Sequence, residues 1–208
     1  MKERSARIKK LAVMAMLVAL SIVLVWLIHF PIFAVVPFLE YDPADIPILI
    51  GTFAYGPLAG IALTVVASLI QGFTVSAQSG VMGIAMHIFA TSTLVLAAGC
   101  IYKFRHTRRG AVLALACGTL AMTGAMLVFN HFLTPLFITP DLADSAAVAA
   151  NRAYVDTLLF PAIAPFNLIK AGANSIVTFL VYKVVSRYII HGEAQILSLI
   201  HISEPTRL

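Results

Sequence analysis

The last apolar stretch of the chain carries polar side chains at helical spacing. Within "FNLIKAGANSIVTFLVYK", steps of three, four and four residues separate Asn167, Lys170, Asn174 and Thr178. Because an α-helix turns by about 100° per residue, these side chains share one narrow face. An ammonium and two carboxamides on that face can hydrogen-bond a ligand that offers carbonyl oxygens and N–H groups.

Lys170 is the most informative member of this stripe. A charged side chain in the bilayer costs about 3 kcal/mol on insertion scales, so such residues usually face the interior of a helix bundle and mark a functional path. The alternative is a lysine that reaches the membrane surface, or that pairs with a carboxylate only for assembly. The nearby Pro165 leaves this alternative open, because it places Lys170 near a helix end.

Further polar residues are expected at the same, outer level of the membrane. Asn130 lies near the outer end of the fifth apolar segment, and Glu40 lies in the proline-rich loop "FPIFAVVPFLEYDPADIP". Leu39 and Tyr41 flank Glu40 and offer apolar and aromatic surface to a ring-shaped ligand. These residues outline an outward-facing pocket.

Asp42 and Asp45 follow in the same loop and allow two interpretations. They either contribute to the pocket or belong to a solvated connector, in which Asp45 caps the second helix. The sequence alone does not separate the two interpretations.

The elements that must position these residues are membrane helices. The chain is 61% hydrophobic and 11% charged, with a mean hydropathy of +0.97, which leaves too little polar surface for a soluble globule. The apolar stretches have the length of helices, so the fold class is all-α integral membrane protein, a compact bundle of six transmembrane helices forming one domain over residues 1–190. The predicted helices cover about 9–30, 45–56, 57–72, 81–104, 110–138 and 161–190.

The helix count depends on Gly56-Pro57, where a proline interrupts a long apolar run. A break there gives six helices. It places three basic segments on the same side of the membrane: the N-terminus, "KFRHTRR" and the end bearing Lys183 and Arg187. Cytoplasmic loops concentrate Lys and Arg, so both termini are predicted to be cytoplasmic. The net charge of +5 then reflects topology and does not indicate a nucleic-acid partner.

Catalytic and metal-binding signatures are missing from the sequence. It has no phosphate-binding Gly-rich loop ending in Lys-Ser/Thr, no histidine pair at zinc spacing and no CxxC. His87 is expected to be a packed membrane histidine more readily than a ligand. We therefore expect neither an enzyme nor a metal or cofactor site, and no ATP hydrolysis by this chain alone.

Small residues recur along the first helix. Ala12, Ala15 and Ala19 are separated by three and four residues, a spacing that lets helix backbones approach closely in a membrane. Packing inside the bundle and docking of a partner helix both explain the pattern.

Three segments together resemble one family: "FLEYDPADIPILIGTFAYGPLAG", "FNHFLTPL" and "FNLIKAGANSIVTFLVYK", in matching order across about residues 9–190. They are similar to the riboflavin-specific S component of energy-coupling factor (ECF) vitamin transporters of prokaryotic cell membranes. The resemblance implies a six-helix, multi-pass subunit that binds riboflavin from outside. It also implies three partners, a transmembrane T subunit and two ATPases.

The resemblance assigns roles to matching residues. Asn130, Asn167 and Lys170 are expected to contact the flavin, and the loop around Glu40 to close over it. Ala15 and Ala19 match the AxxxA motif that docks the T subunit. The alternatives are an S component for another vitamin or flavin analogue, an ion-coupled secondary transporter and a membrane enzyme.

The C-terminal tail, residues 191–208, differs in character from the rest of the chain. Its end, "SLIHISEPTRL", resembles a translated sequencing adaptor and is predicted to be non-native. The alternative is an interfacial peptide.

Overall fold

The computed structural model describes residues 2–33, 36 and 39–185, which are mostly helical. The helices of this part are α1 (Lys2–Leu27), α2 (Asp45–Tyr55), α3 (Pro57–Phe73), α4 (Gly80–Phe104), α5 (Arg108–Ile138), α6 (Ser145–Leu158) and α7 (Ala164–Val185). A 3₁₀ turn, Ala77–Ser79, precedes α4, and a π-helical turn, Leu159–Ile163, joins α6 to α7. The loop after α1 forms an antiparallel ribbon in which β1 (Phe30–Pro31) pairs with β2 (Glu40–Tyr41).

Four stretches of the described chain are long and apolar enough to cross a membrane. They are Arg4–Leu27, Ala77–Phe104, Arg108–Ile138 and Ser145–Tyr182. The helices α2 and α3 are apolar but shorter. A helix of 11 residues such as α2 is only about 16 Å long, roughly half the thickness of the hydrocarbon core.

The chain reverses direction at Gly56-Pro57, as the sequence predicts. Gly56 has a φ of 92°, a left-handed conformation that favours glycine, and Pro57 starts α3 at a position where no backbone donor is needed. Gly60 on α3 packs against Thr52 on α2 so closely that a β-carbon there would overlap the Thr52 hydroxyl. The two helices are therefore an antiparallel pair and not one long helix.

An aromatic cluster shows which helix ends share one level of the bundle. The ring of Phe53 near the end of α2 stacks on Tyr102 of α4 at 4.2 Å and meets Tyr182 of α7 edge-on at 5.5 Å. The ammonium of Lys10, near the start of α1, lies 5.3 Å from the ring centre of Tyr55. The start of α1 and the ends of α2, α4 and α7 thus lie together, and we call this the basic end.

The helix α6 lies where the sequence analysis expected an outer loop. The side chain of Asp144 accepts a hydrogen bond from the backbone N–H of Ala147 at 3.0 Å and caps the helix, which is rich in alanine. Val155 is its one buried residue, so the apolar periodicity that reveals a helix in a sequence is weak here. The expected cytoplasmic tail and Arg187 lie outside the described residues.

Close packing around Gly60 generates a prediction about stability. Gly60→Val should lower the free energy of unfolding by about 1–3 kcal/mol, because a β-carbon would also lie 3.1 Å from the β-carbon of Val95. The measurement is the thermal unfolding midpoint in detergent. Gly124→Val is the matched control, since a β-carbon at Gly124 meets nothing within 4 Å. Equal losses in both variants would contradict the close approach of α2 and α3.

Candidate functional site

A cavity of about 170 Å³ lies between the β-ribbon loop and helices α3, α4, α5 and α7. Its apolar lining includes Leu39, Met122, Met126 and Phe166. Its polar lining includes Glu40, Asp42, Ser68, Gln71, His87, Asn167 and Lys170. Lys170 precedes Tyr182 by 12 residues, or about 18 Å along α7, so the cavity lies far from the basic end.

An ion pair joins the loop to α7 at this cavity. The Nζ of Lys170 lies 2.5 Å from Oδ2 of Asp42, and the two side chains are 9% and 15% exposed. Lys170 is therefore buried against the loop, and its pairing with a carboxylate, which the sequence left open, is present. Asp42 is part of the site, and its interpretation as a solvated connector is wrong.

The Asp42 carboxyl group is held in its charged form. Burial alone would raise its pKa, but the Lys170 ammonium and hydrogen bonds from Lys170 and the Ala44 backbone hold the pKa below its usual range. Hydrogen bonds to the charged form of an acid favour that form.

Asn174, one turn further along α7, hydrogen-bonds the loop at two positions and the start of α2 at a third. Its Nδ2 donates to the backbone carbonyl of Asp42 and to Oδ2 of Asp45, both at 3.0 Å. Its Oδ1 accepts a hydrogen bond from the Tyr41 hydroxyl at 3.0 Å. The stripe on the last helix thus binds the loop as well as facing the cavity.

Asp45 is completely buried, at 0% exposure, and is not a solvated residue. Its Oδ1 accepts a hydrogen bond from Thr91 Oγ1 of α4 at 2.7 Å, in addition to the bond from Asn174. Its side chain makes no cap on α2, because it is used to join α2 to α4 and α7. The capping interpretation is therefore also wrong.

The hydrogen bonds of His87 determine its neutral tautomer. The Ser68 hydroxyl donates to the Thr64 carbonyl at 2.7 Å, so it must accept from Nδ1–H of His87, also at 2.7 Å. Nε2 then carries a lone pair, has no hydrogen-bond partner among the described residues, and lies 4.0 Å from Oδ1 of Asp45. The buried Nε2 is therefore an open hydrogen-bond acceptor beside the Asp45 carboxylate.

The structure brings four of the six predicted binding residues to the cavity wall: Leu39, Glu40, Asn167 and Lys170. Asn167 is 2% exposed and donates from Nδ2 to the Ile163 carbonyl of its own chain segment at 2.8 Å. In the part of the chain that is described, its Oδ1 has no protein donor. Oε2 of Glu40 lies 3.5 Å from Nε2 of His29, and the Glu40 side chain is half-exposed.

The other two predicted residues do not line the cavity. Tyr41 supports it through its bond to Asn174. Asn130 is 1% exposed, donates to the Met126 carbonyl and accepts from Thr134, so its amide is satisfied within α5. On the outside of the bundle, Ala15 and Ala19 lie on the exposed face of α1.

The family model described as "ECF transporter, substrate-specific component" matches residues 9–182. The chain belongs to this family.

Relatives of known name and structure agree with this assignment. The chain is 31% identical to the riboflavin transporter FmnP of Bacillus subtilis (strain 168), over 85% of this chain and 91% of that protein. It is 32% identical to the riboflavin transporter RibU of Staphylococcus aureus (strain TCH60), over 87% and 92%. The solved S component of a bacterial ECF transporter superposes with a TM-score of 0.72 at 29% identity, covering 88% of this chain and 99% of that one.

The S component is a transport subunit and not an enzyme, as the sequence analysis expected. Its site contains residues that sequence reasoning missed or left open, chiefly Asp45, Ser68 and His87. A buried hydroxyl or histidine in an apolar helix gives no signal of its own, because packing explains it equally well. Asp42 was visible in the sequence two residues after Glu40, but its partner Lys170 lies 128 positions away.

The ion pair generates a prediction about acid stability. At pH 7, Asp42→Asn should lower the free energy of unfolding of the S component by about 3–5 kcal/mol, since it leaves a buried ammonium unpaired. The pKa of Asp42 is lower in the folded than in the unfolded protein, so its charge stabilises the fold above the unfolded pKa of about 3.9. That contribution is lost as the pH falls through the native pKa. The difference between wild type and variant should therefore shrink below about pH 4.

Thermal unfolding in detergent from pH 7 to pH 3 measures this difference. Asp141→Asn, in an exposed loop, is the control and should follow wild type. An Asp42→Asn variant as stable as wild type at pH 7 would show that the pair contributes nothing.

Proposed function

We propose that this S component binds riboflavin from outside the cell membrane as the substrate-capturing subunit of an ATP-driven ECF importer. The observation that carries the proposal is the mixed lining of the cavity. Apolar and aromatic side chains, including Met126 and Phe166, line it together with the polar groups of Asn167 and Lys170. The names of the two bacterial relatives support the choice of vitamin.

The chemistry of the flavin fits this wall. The isoalloxazine ring is flat and apolar on its faces, and one edge offers carbonyl acceptors and an N–H donor. The free Oδ1 of Asn167 can accept from that N–H, and Lys170 has two further N–H donors beside the one directed to Asp42. We assign Asn130 a role at the ring as well, which requires its amide to exchange the bond with Thr134 for one with the ligand.

The loop between α1 and α2 acts as a lid in this proposal. A volume of about 170 Å³ is below the range of about 300–1,000 Å³ typical of small-molecule sites, so the ligand needs the loop to move. The contacts from Lys170 and Asn174 to Asp42 supply a closed position for it. Leu39, Glu40 and Tyr41 move with that loop.

The proposed topology has six membrane crossings with both termini in the cytoplasm. Exposed basic residues of α1 and of the α4–α5 connection lie at the basic end, whereas Asp141 and Asp144 follow the far end of α5, and Asp156 of α6 pairs with His131 near that end. Cytoplasmic segments concentrate Lys and Arg, so the basic end is the inner one and the cavity lies toward the outside.

The energising partners in this proposal are a transmembrane T subunit and two ATPase subunits. The exposed alanines Ala15 and Ala19 offer a place where a T-subunit helix can approach α1 closely. Their neighbours Met16 and Leu20 are exposed too and add apolar surface to this face.

The ligand assignment predicts a loss of flavin affinity in two variants. Asn167→Ala, and the charge-balanced Asp42→Asn/Lys170→Met, should each weaken riboflavin binding about ten- to a hundred-fold, the value of a hydrogen bond to a charged or buried group. Quenching of riboflavin fluorescence on titration with purified protein measures it. Asp42→Asn alone controls for the broken ion pair, and Lys103→Ala, at the basic end, should bind as wild type does.

A folded wild-type protein that does not quench riboflavin fluorescence would show that riboflavin is not the ligand. The same titration with other vitamins and with flavin analogues would then identify the substrate. Riboflavin binding that is equal in wild type, Asn167→Ala and the double variant would instead remove these side chains from the site.

The docking assignment makes a separate prediction. Ala15→Leu/Ala19→Leu should abolish copurification with the T subunit, because larger side chains hold the helices apart, while riboflavin binding is retained. Gly124→Leu, another small-to-large change but on the exposed face of α5, is the control and should copurify normally. Undiminished copurification of the double variant would show that α1 is not the docking helix.

A further inference from the structure

A second cavity, of about 460 Å³, opens on the outside of the bundle between α5 and α7. Its walls are almost entirely apolar. They include Val112, Ala116 and Leu120 of α5 and Gly172, Ile176 and Leu180 of α7. We call this cavity the α5–α7 groove.

The position of the groove determines what kind of molecule can fill it. Both helices belong to stretches apolar enough to span a membrane, and the groove extends over about 12 Å of each helix. At its base the hydroxyls of Thr119 and Ser175 hydrogen-bond each other at 3.2 Å, which leaves little polar surface open to the groove. A hydrocarbon chain can pack against such an apolar surface.

The end of the groove nearest the basic end carries positive charge. Arg108 and Arg109 precede Val112 by one turn of α5, and the helical period places both on the groove side of that helix. Both arginines are exposed and, within the described residues, neither has a carboxylate partner. Tyr102 and Tyr182 lie at the same level, and tyrosines are typical of the membrane–water interface.

We propose that the α5–α7 groove binds an anionic phospholipid, with one acyl chain between the helices and the phosphate against Arg108 and Arg109. Basic pockets between membrane helices on the cytoplasmic side are suited to anionic head groups. A partner helix fits less well, because Leu120 and Leu180, 64% and 67% exposed, project at the rims and would hold a helix backbone away.

A glycine in the groove allows the acyl-chain site to be filled without disturbing the fold. A β-carbon at Gly172 meets nothing within 4 Å, so Gly172→Leu places its side chain in the space that the chain would occupy. Gly124→Leu is the matched control, since it makes the same change at an equally open helical glycine outside the groove.

The experiment titrates phosphatidylglycerol and phosphatidylcholine into purified protein in detergent and counts bound lipids by native mass spectrometry. Wild type should retain one phosphatidylglycerol in preference to phosphatidylcholine. Gly172→Leu should lose that preferential binding, and Gly124→Leu should keep it. Arg108→Gln and Arg109→Gln should each weaken phosphatidylglycerol binding about five-fold, because one basic residue contributes about 1 kcal/mol to the attraction of an anionic lipid.

Two outcomes would overturn the proposal. Equal retention of the two lipids by wild type would mean that the groove holds only the bulk lipids of the surrounding layer. Unchanged phosphatidylglycerol binding in Gly172→Leu, together with loss of T-subunit copurification in the same variant, would make the groove a protein-docking surface. Riboflavin binding, measured in parallel, reports on the other cavity and is expected to be unaffected.

Discussion

A charged lysine inside a membrane protein must be given a partner, and the contact between Lys170 and Asp42 is the constraint on which the site depends. Leaving either charge buried alone costs several kcal/mol, so the loop after α1 has to return to α7. That return places Leu39 and Glu40 over the cavity and brings Tyr41 to Asn174. One pair of charges thus decides where a loop of irregular structure lies.

The same requirement organises the polar groups around this pair. Asp45 is satisfied by Thr91 and Asn174, so one carboxylate connects three helices at a depth where water is scarce. Within the described residues His87 is only half satisfied, because Nδ1 bonds the Ser68 hydroxyl whereas Nε2 has no hydrogen-bond partner. The cavity wall therefore combines open hydrogen-bonding capacity with apolar side chains.

The bundle divides its remaining surfaces by chemistry. The exposed alanines of α1 favour the close approach of another helix, whereas the α5–α7 groove has bulky rims and a basic end that favour a lipid. The aromatic contacts of Phe53 with Tyr102 and Tyr182 fix the level at which these helices end. The proposed ligand capture, partner docking and lipid contact therefore use separate faces.

The sequence by itself determined the membrane environment, the apolar helices, the reversal at Gly56-Pro57 and the polar stripe of the last helix. These follow from local composition and helical periodicity, which need no knowledge of distant residues. Only the tertiary structure decided that Asp42 and Asp45 are buried partners and that Asn130 turns to its own helix. Pairings over more than a hundred positions depend on how helices pack, and α6 escaped prediction because it buries a single side chain.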